Sequence, residues 1–153
     1  MPQADAKDHF TEESGRSSLW LAAISWSFSI LYMFFIFSLS GRPHPPAASS
    51  FIDRWNFLLH LLAYCPLGFL FGWSLDSSGV RRRIAFYGCL LGLAYAISDE
   101  LHQSFVPGRG ASLRDVIADG IGSFLGSYAF RAVASANRLV RRGWVRRLID
   151  ASS

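Results

Sequence analysis

"LWLAAISWSFSILYMFFIFSL", residues 19–39, runs for 21 residues without a charged side chain. At about 1.5 Å per residue it makes a helix about 31 Å long, which matches a bilayer hydrocarbon core of about 30 Å. A segment of this length and composition is a transmembrane helix, and the rest of the chain is read outward from it. Downstream, "WNFLLHLLAYCPLGFLFGWSL" (residues 55–75) is a second span of like length, broken only by Asn56, His60 and Pro66. Proline is tolerated there because neighbouring helices can satisfy the carbonyl it frees. A chain that is 51% hydrophobic and 15% aromatic suits a membrane protein better than a soluble domain.

Two further runs, Ile84–Ser98 and Val116–Phe130, hold 15 residues each and are uncharged apart from Asp119. Alone each reaches about 22 Å, short of the core, so each must borrow length from the stretch between them. That stretch is "SDELHQSFVPGRGASLRD", residues 98–115, with three carboxylates, a histidine, a glutamine and two arginines. A third helix continuing to Phe105, where Pro107 and Gly108 stop it, carries Asp99 and Glu100 below the edge of the core.

The expected fold is therefore all-α: a polytopic four-transmembrane-helix bundle over residues 19–134, with both termini cytoplasmic. Residues 1–18 read as a disordered cytoplasmic tail and residues 135–153 as a basic cytoplasmic tail. Orientation comes from the cations. Lys7, Arg16, Arg81, Arg82, Arg83, Arg131, Arg138, Arg141, Arg142, Arg146 and Arg147 fall on one side, against Arg42, Arg54, Arg109 and Arg114 on the other. The positive-inside rule puts the larger set in the cytoplasm and turns the Ser98–Asp115 motif outward.

Ser38-Leu39-Ser40 loosely resembles a signal-peptidase site, but the apolar run is too long for a signal core and follows an 18-residue lead. Cys65 and Cys89 lie inside spans and read as free apolar thiols. The net charge of +4 follows from topology, so the Arg-rich tail is matched to anionic membrane lipid and no nucleic acid is expected. Val140, Trp144 and Leu148 share a helical spacing there that suggests an interfacial helix.

Helical spacing gathers the polar residues. His60, Tyr64, Gly68 and Gly72 recur every four residues, as do Gly88, Gly92, Ala96 and Glu100, and each row defines one helix face. Asp115 and Asp119 share a stripe with Gly122 and Gly126, a pair that lets another helix approach closely. Counted inward, His60, Asp119 and the Asp99-Glu100 pair sit at a similar shallow depth. Ionisable groups there cost about 2.5–3.5 kcal/mol on insertion scales, so they are expected to pair or to line a water-filled cavity.

Asp99-Glu100-x-x-Gln103-x-Phe105-x-Pro107-Gly108-Arg109, followed by Asp115 and Asp119-x-x-Gly122-x-x-x-Gly126, resembles the signature of VanZ-like membrane proteins. His60-x-x-x-Tyr64-x-x-Leu67-Gly68 resembles their preceding helix. The resemblance covers about Asp53 to Gly126 and implies a small, four-helical envelope protein, in a family whose founding members are linked to tolerance of the glycopeptide teicoplanin. Two positions depart: the usual Asp-Lys before the histidine is Asn56-Phe57, with Asp53 and Arg54 a turn earlier, and the usual Asn of the fourth helix is Asp119.

Each candidate has a catalytic and a structural reading. His60, Asp99, Glu100 and Asp115 are the acid/base candidates, because a carboxylate or imidazole shielded from water can move protons near neutrality. Arg109, Gln103, Tyr64 and Asp119 are the substrate-binding candidates, with Arg109 offering a planar fork to phosphate or carboxylate. The structural reading has Arg109 or Arg114 neutralising the acids, and His60 bonded to Tyr64 or to a carboxylate. Asp115, Asp119, Glu100 and His60 are also of the right types for an oxygen-rich divalent site. No established ligand spacing accompanies them, no metal ligand is assigned, and no motif names a substrate or cofactor. His102 reads as incidental. The expected function is binding or acting on a lipid-linked or anionic envelope molecule; the alternative is a non-catalytic module whose charges hold the bundle or a partner.

Overall fold

The apolar runs fold as the helices their lengths require. In the computed structural model, the backbone is described over residues 3–43 and 49–150, and side chains over residues 19–43 and 55–140. Four helices follow in order: α1 (Gln3–Ser40), α2 (Ser49–Ser77), α3 (Ile84–Gln103) and α4 (Leu113–Asp150). Three carry segments long and apolar enough to cross a membrane, namely Leu19–Ser40, Trp55–Ser77 and Ile84–Gln103. α4 carries five of its seven arginines in its second half, and its first half turns Ile117, Ile121, Phe124, Leu125 and Tyr128 outward.

Helical backbone continues through residues 3–18, the stretch whose composition suggested disorder, and through the basic tail to Asp150. The side chains of Asp53, Arg54, Trp144 and Leu148 lie outside the described residues.

The distribution of polarity is inverted relative to a water-soluble bundle. Among the described residues, eleven buried side chains are polar or charged and nine are hydrophobic, while large apolar residues cover the outside. An exterior so rich in large apolar side chains is stable against lipid and unstable against water.

Hydrogen bonds fix the directions of the helices. Asn56 to Asp115, His60 to Asp119 and Ser127 to the Gly68 carbonyl each join residues 59 apart, so α2 and α4 run parallel in constant register. Ser29 with Ser74 at 3.0 Å, and Trp26 Nε1 donating to Ser78 Oγ at 3.0 Å, set α1 antiparallel to α2. α3 returns antiparallel beside α4, with Gly92 on Ser123 and Gly88 on Ser127.

Glycine makes the α2–α4 seam possible. A Cβ added at Gly122 would stand 2.5 Å from the Leu61 carbonyl oxygen, one at Gly68 would strike the Ser123 backbone, and one at Gly126 the Cys65 carbonyl. These are backbone-to-backbone contacts, the close approach that small residues permit between membrane helices. Pro66 sits within α2 without ending it.

α3 stops at Gln103, two residues before the expected Phe105. The chain then turns over Val106–Arg109, with Arg109 N–H donating to the Val106 carbonyl at 3.1 Å and Gly108 at φ 79°. Proline followed by a residue of positive φ is the type II pattern, which explains the Pro107-Gly108 pair. The turn carries Arg109 back against the end of α1.

Candidate functional site

The site occupies the end of the bundle where α1 and α3 finish and α2 and α4 begin. Its scaffold is the parallel α2–α4 pair. Because the two helices keep a constant register, the four-residue row Asn56, His60, Tyr64, Gly68 lies along the row Asp115, Asp119, Ser123, Ser127. Small residues and serines hold the inner layers together, and the layers toward this end carry charge.

His60 Nδ1 donates to Asp119 Oδ1 at 3.0 Å, and its Nε2 stands 4.0 Å from Asp115 Oδ2. Asp115 Oδ2 also accepts from Asn56 Nδ2 at 2.7 Å. Glu100 closes the group from α3: its Oε2 accepts the Ser112 backbone N–H at 2.6 Å. One ligating atom from each of His60, Glu100 and Asp119 lies within 4.8 Å of the others. The three residues that helical spacing put at one depth therefore meet.

Ser112 caps α4. Its carbonyl accepts from Val116 N–H at 3.2 Å and its hydroxyl from Asp115 N–H at 3.3 Å. In an ordinary capping box, the acid three residues on would reach back to the cap's own N–H. Here Glu100 of another helix takes that N–H, at the positive end of the α4 dipole, and leaves the Asp115 carboxylate free for Asn56 and His60.

Adjacent Asp99 and Glu100 point different ways, as neighbours on a helix must. Asp99 turns to α1: Oδ1 accepts from Ser40 Oγ at 2.6 Å and Oδ2 from Gln103 Nε2 at 2.9 Å. Arg109 joins this second group by donating through Nη1 to the Ser40 carbonyl at 2.6 Å, at the C-terminal end of α1 where a cation suits the dipole. Partial burial lowers the guanidinium pKa, and Asp99, Glu100 and Asp115 oppose that shift. No residue expected at the site is carried away from it. His102 stands apart, its ring stacked on Phe37 at 4.1 Å between centroids.

A cavity of about 250 Å³ connects the two groups. Ser40, Asn56, His60, Asp99, Gln103 and Arg109 supply its polar wall, and Tyr32, Phe35, Leu39, Leu59 and Tyr64 much of its apolar one. Phe35, Leu39 and Leu59 are exposed on the outer surface, so the cavity opens sideways between α1 and α2. Glu100, Asp115 and Asp119 are not among its lining; Asp119 reaches it through His60 and Asp115 through Asn56. Tyr64 is buried on the same face as His60, with an unpartnered hydroxyl.

Sequence reasoning missed Ser40 and Ser112. Ser40 carries no local signal, since only the packing of α1 brings it to Asp99. Ser112 does carry one, because Ser112-x-x-Asp115 ahead of an apolar run is a helix-start pattern.

An all-helical bundle with an apolar exterior, three helices long and apolar enough to cross a membrane, and His, Asp and Glu gathered at one end is the architecture of a membrane protein. The VanZ/LLP1 family model matches residues 9–134, and the chain belongs to that family. No curated protein and no solved structure matches it.

Proposed function

We propose that this VanZ/LLP1 protein binds an anionic, lipid-linked envelope molecule in the cleft between α1 and α2, with His60 placed to move a proton at its head. The bundle spans a bacterial cytoplasmic membrane with α4 as a fourth span, both termini in the cytoplasm and the polar end outward. The observation that carries this reading is the amphipathic, laterally open cavity. Its wall combines the Arg109 guanidinium with amide, imidazole and hydroxyl groups, while its mouth is made of exposed aromatic and aliphatic side chains facing where acyl or prenyl chains lie. A second apolar groove of about 450 Å³, lined by Phe28, Leu31, Phe34 and Leu70, shares Tyr32 and Phe35 with it and offers a path for a chain.

Native mass spectrometry of the purified full-length protein tests the reading, with a polyprenyl phosphate and phosphatidylcholine offered in equal amounts. Retention of the anionic lipid, at least tenfold reduced by Ala63→Phe in the cleft wall, is the expected result. Equal retention of both lipids overturns it. Teicoplanin susceptibility of cells carrying the same variants links the cleft to the phenotype associated with the founding members of the family.

The bonds of Asp99 and Arg109 to the end of α1 favour a second reading, in which the charges only hold the bundle. Glu100→Gln separates the two. The amide keeps an acceptor for Ser112 N–H, so a structural role survives while acid/base work is lost.

A further inference from the structure

We infer that His60, Glu100 and Asp119 form a binding site for one divalent first-row metal ion of the Zn²⁺ or Mn²⁺ kind. The three residues come from α2, α3 and α4, and a ligating atom of each lies within 4.8 Å of the others. His60 Nδ1 and Asp119 Oδ1 are 3.0 Å apart. Two ligands about 2.1 Å from one ion stand about 3.0 Å apart when they meet it at a right angle, so this spacing suits adjacent ligands.

Unpartnered oxygens point to a ligand independently of that proximity. Glu100 Oε1 and Asp119 Oδ2 are buried without a hydrogen-bond partner, on side chains that are 3% and 0% exposed. A buried acceptor left unpaired costs about 1–3 kcal/mol, and more on a charged group. Two such oxygens beside one imidazole leave an unmet demand for positive charge, and the guanidinium nearby is turned to Ser40. A dipositive ion balances the two carboxylates and takes both free oxygens into its sphere.

Ligand chemistry narrows the ion. One imidazole with carboxylates suits Zn²⁺ or Mn²⁺, whereas Ca²⁺ needs six to eight oxygens and Mg²⁺ prefers carboxylate and water. Three protein ligands leave an open position, as in catalytic rather than structural sites. His60 also lines the cavity, so that position communicates with the cleft. Ligation at Nδ1 replaces the hydrogen bond of His60 to Asp119, and the imidazole proton moves to Nε2, which stands 4.0 Å from Asp115 Oδ2.

The site stands on this geometry alone and does not depend on the lipid reading. Its test uses tag-free, EDTA-stripped full-length protein in detergent, titrated with Mn²⁺ and followed by electron paramagnetic resonance. The expected result is loss of the free-ion signal up to one equivalent, competition by Zn²⁺, and a ¹⁴N coupling to the bound ion. His60→Gln should remove the ¹⁴N coupling. Glu100→Gln and Asp119→Asn should each raise Kd at least tenfold, while His102→Gln leaves it unchanged. Wild-type protein that binds no Mn²⁺ at millimolar concentration overturns the site without touching the lipid reading. So does Mn²⁺ bound without ¹⁴N coupling, or bound equally well by a monodisperse Asp119→Asn variant.

Discussion

His60 and Asp119 meet across the α2–α4 seam at 3.0 Å, at the same offset of 59 residues that joins Asn56 to Asp115 and Ser127 to Gly68. One parallel register thus serves two purposes. At the inner layers it brings glycine against backbone, and at the outer layers it brings an imidazole and an amide against two carboxylates. The site is the charged end of a small-residue seam, and its geometry depends on that seam.

The seam should therefore resist even one added carbon. Gly126→Ala puts a Cβ onto the Cys65 carbonyl, where backbone has to move. The expected loss is about 1–3 kcal/mol, the usual cost of overpacking. Thermal loss of monodispersity in detergent measures it. Gly110→Ala, with nothing within 4 Å of the new carbon, is the matched control. An unchanged transition for Gly126→Ala would mean that α2 and α4 are not packed this closely.

Coupling between His60 and Asp119 should be directly measurable. Removing either partner leaves the other buried and unpaired, so the single alanine variants should each lose more stability than half of the double variant's loss. A double-mutant cycle should give an interaction energy of about 0.5–3 kcal/mol. Additive losses would place the two side chains apart.

Much of this was readable in advance. The four-residue rows on α2 and α3 follow from composition and helical period alone, and so does the shared depth of His60, Glu100 and Asp119. The 59-residue register was not readable, because it depends on which glycines of one helix face which backbone of the other. Neither was the split between Asp99 and Glu100, since a helix dictates only that they diverge. Ser40 becomes visible only when the end of α1 arrives, and the length of α4 exceeds its apolar run because arginine sustains a helix well.

Topology follows from charge. Eleven basic residues on the side of the termini and the α2–α3 loop, against four on the other, should place residue 111 outside and residue 78 inside. Ala111→Cys and Ser78→Cys are both at exposed positions. An impermeant maleimide added to intact spheroplasts should label the first and spare the second until the cells are lysed. The reverse pattern would turn the cleft toward the cytoplasm and remove extracellular envelope ligands from consideration.

Arg109 separates recognition from support. Its Nη1 holds the last carbonyl of α1, and the guanidinium also lines the cavity. Lysine keeps the charge and can still cap α1, but it loses the planar fork that receives a phosphate through two parallel bonds. If the fork is needed for a headgroup, Arg109→Lys should insert and melt within a few degrees of wild type while losing at least tenfold in retention of polyprenyl phosphate. If the residue is a counter-ion instead, the order reverses. Lysine then lowers the melting temperature with lipid retention intact, and Asp99→Asn in the same chain restores stability by removing the acid that lysine fails to match. Measuring both quantities on the same preparations decides between the two roles, because recognition moves the first without the second and support moves the second without the first.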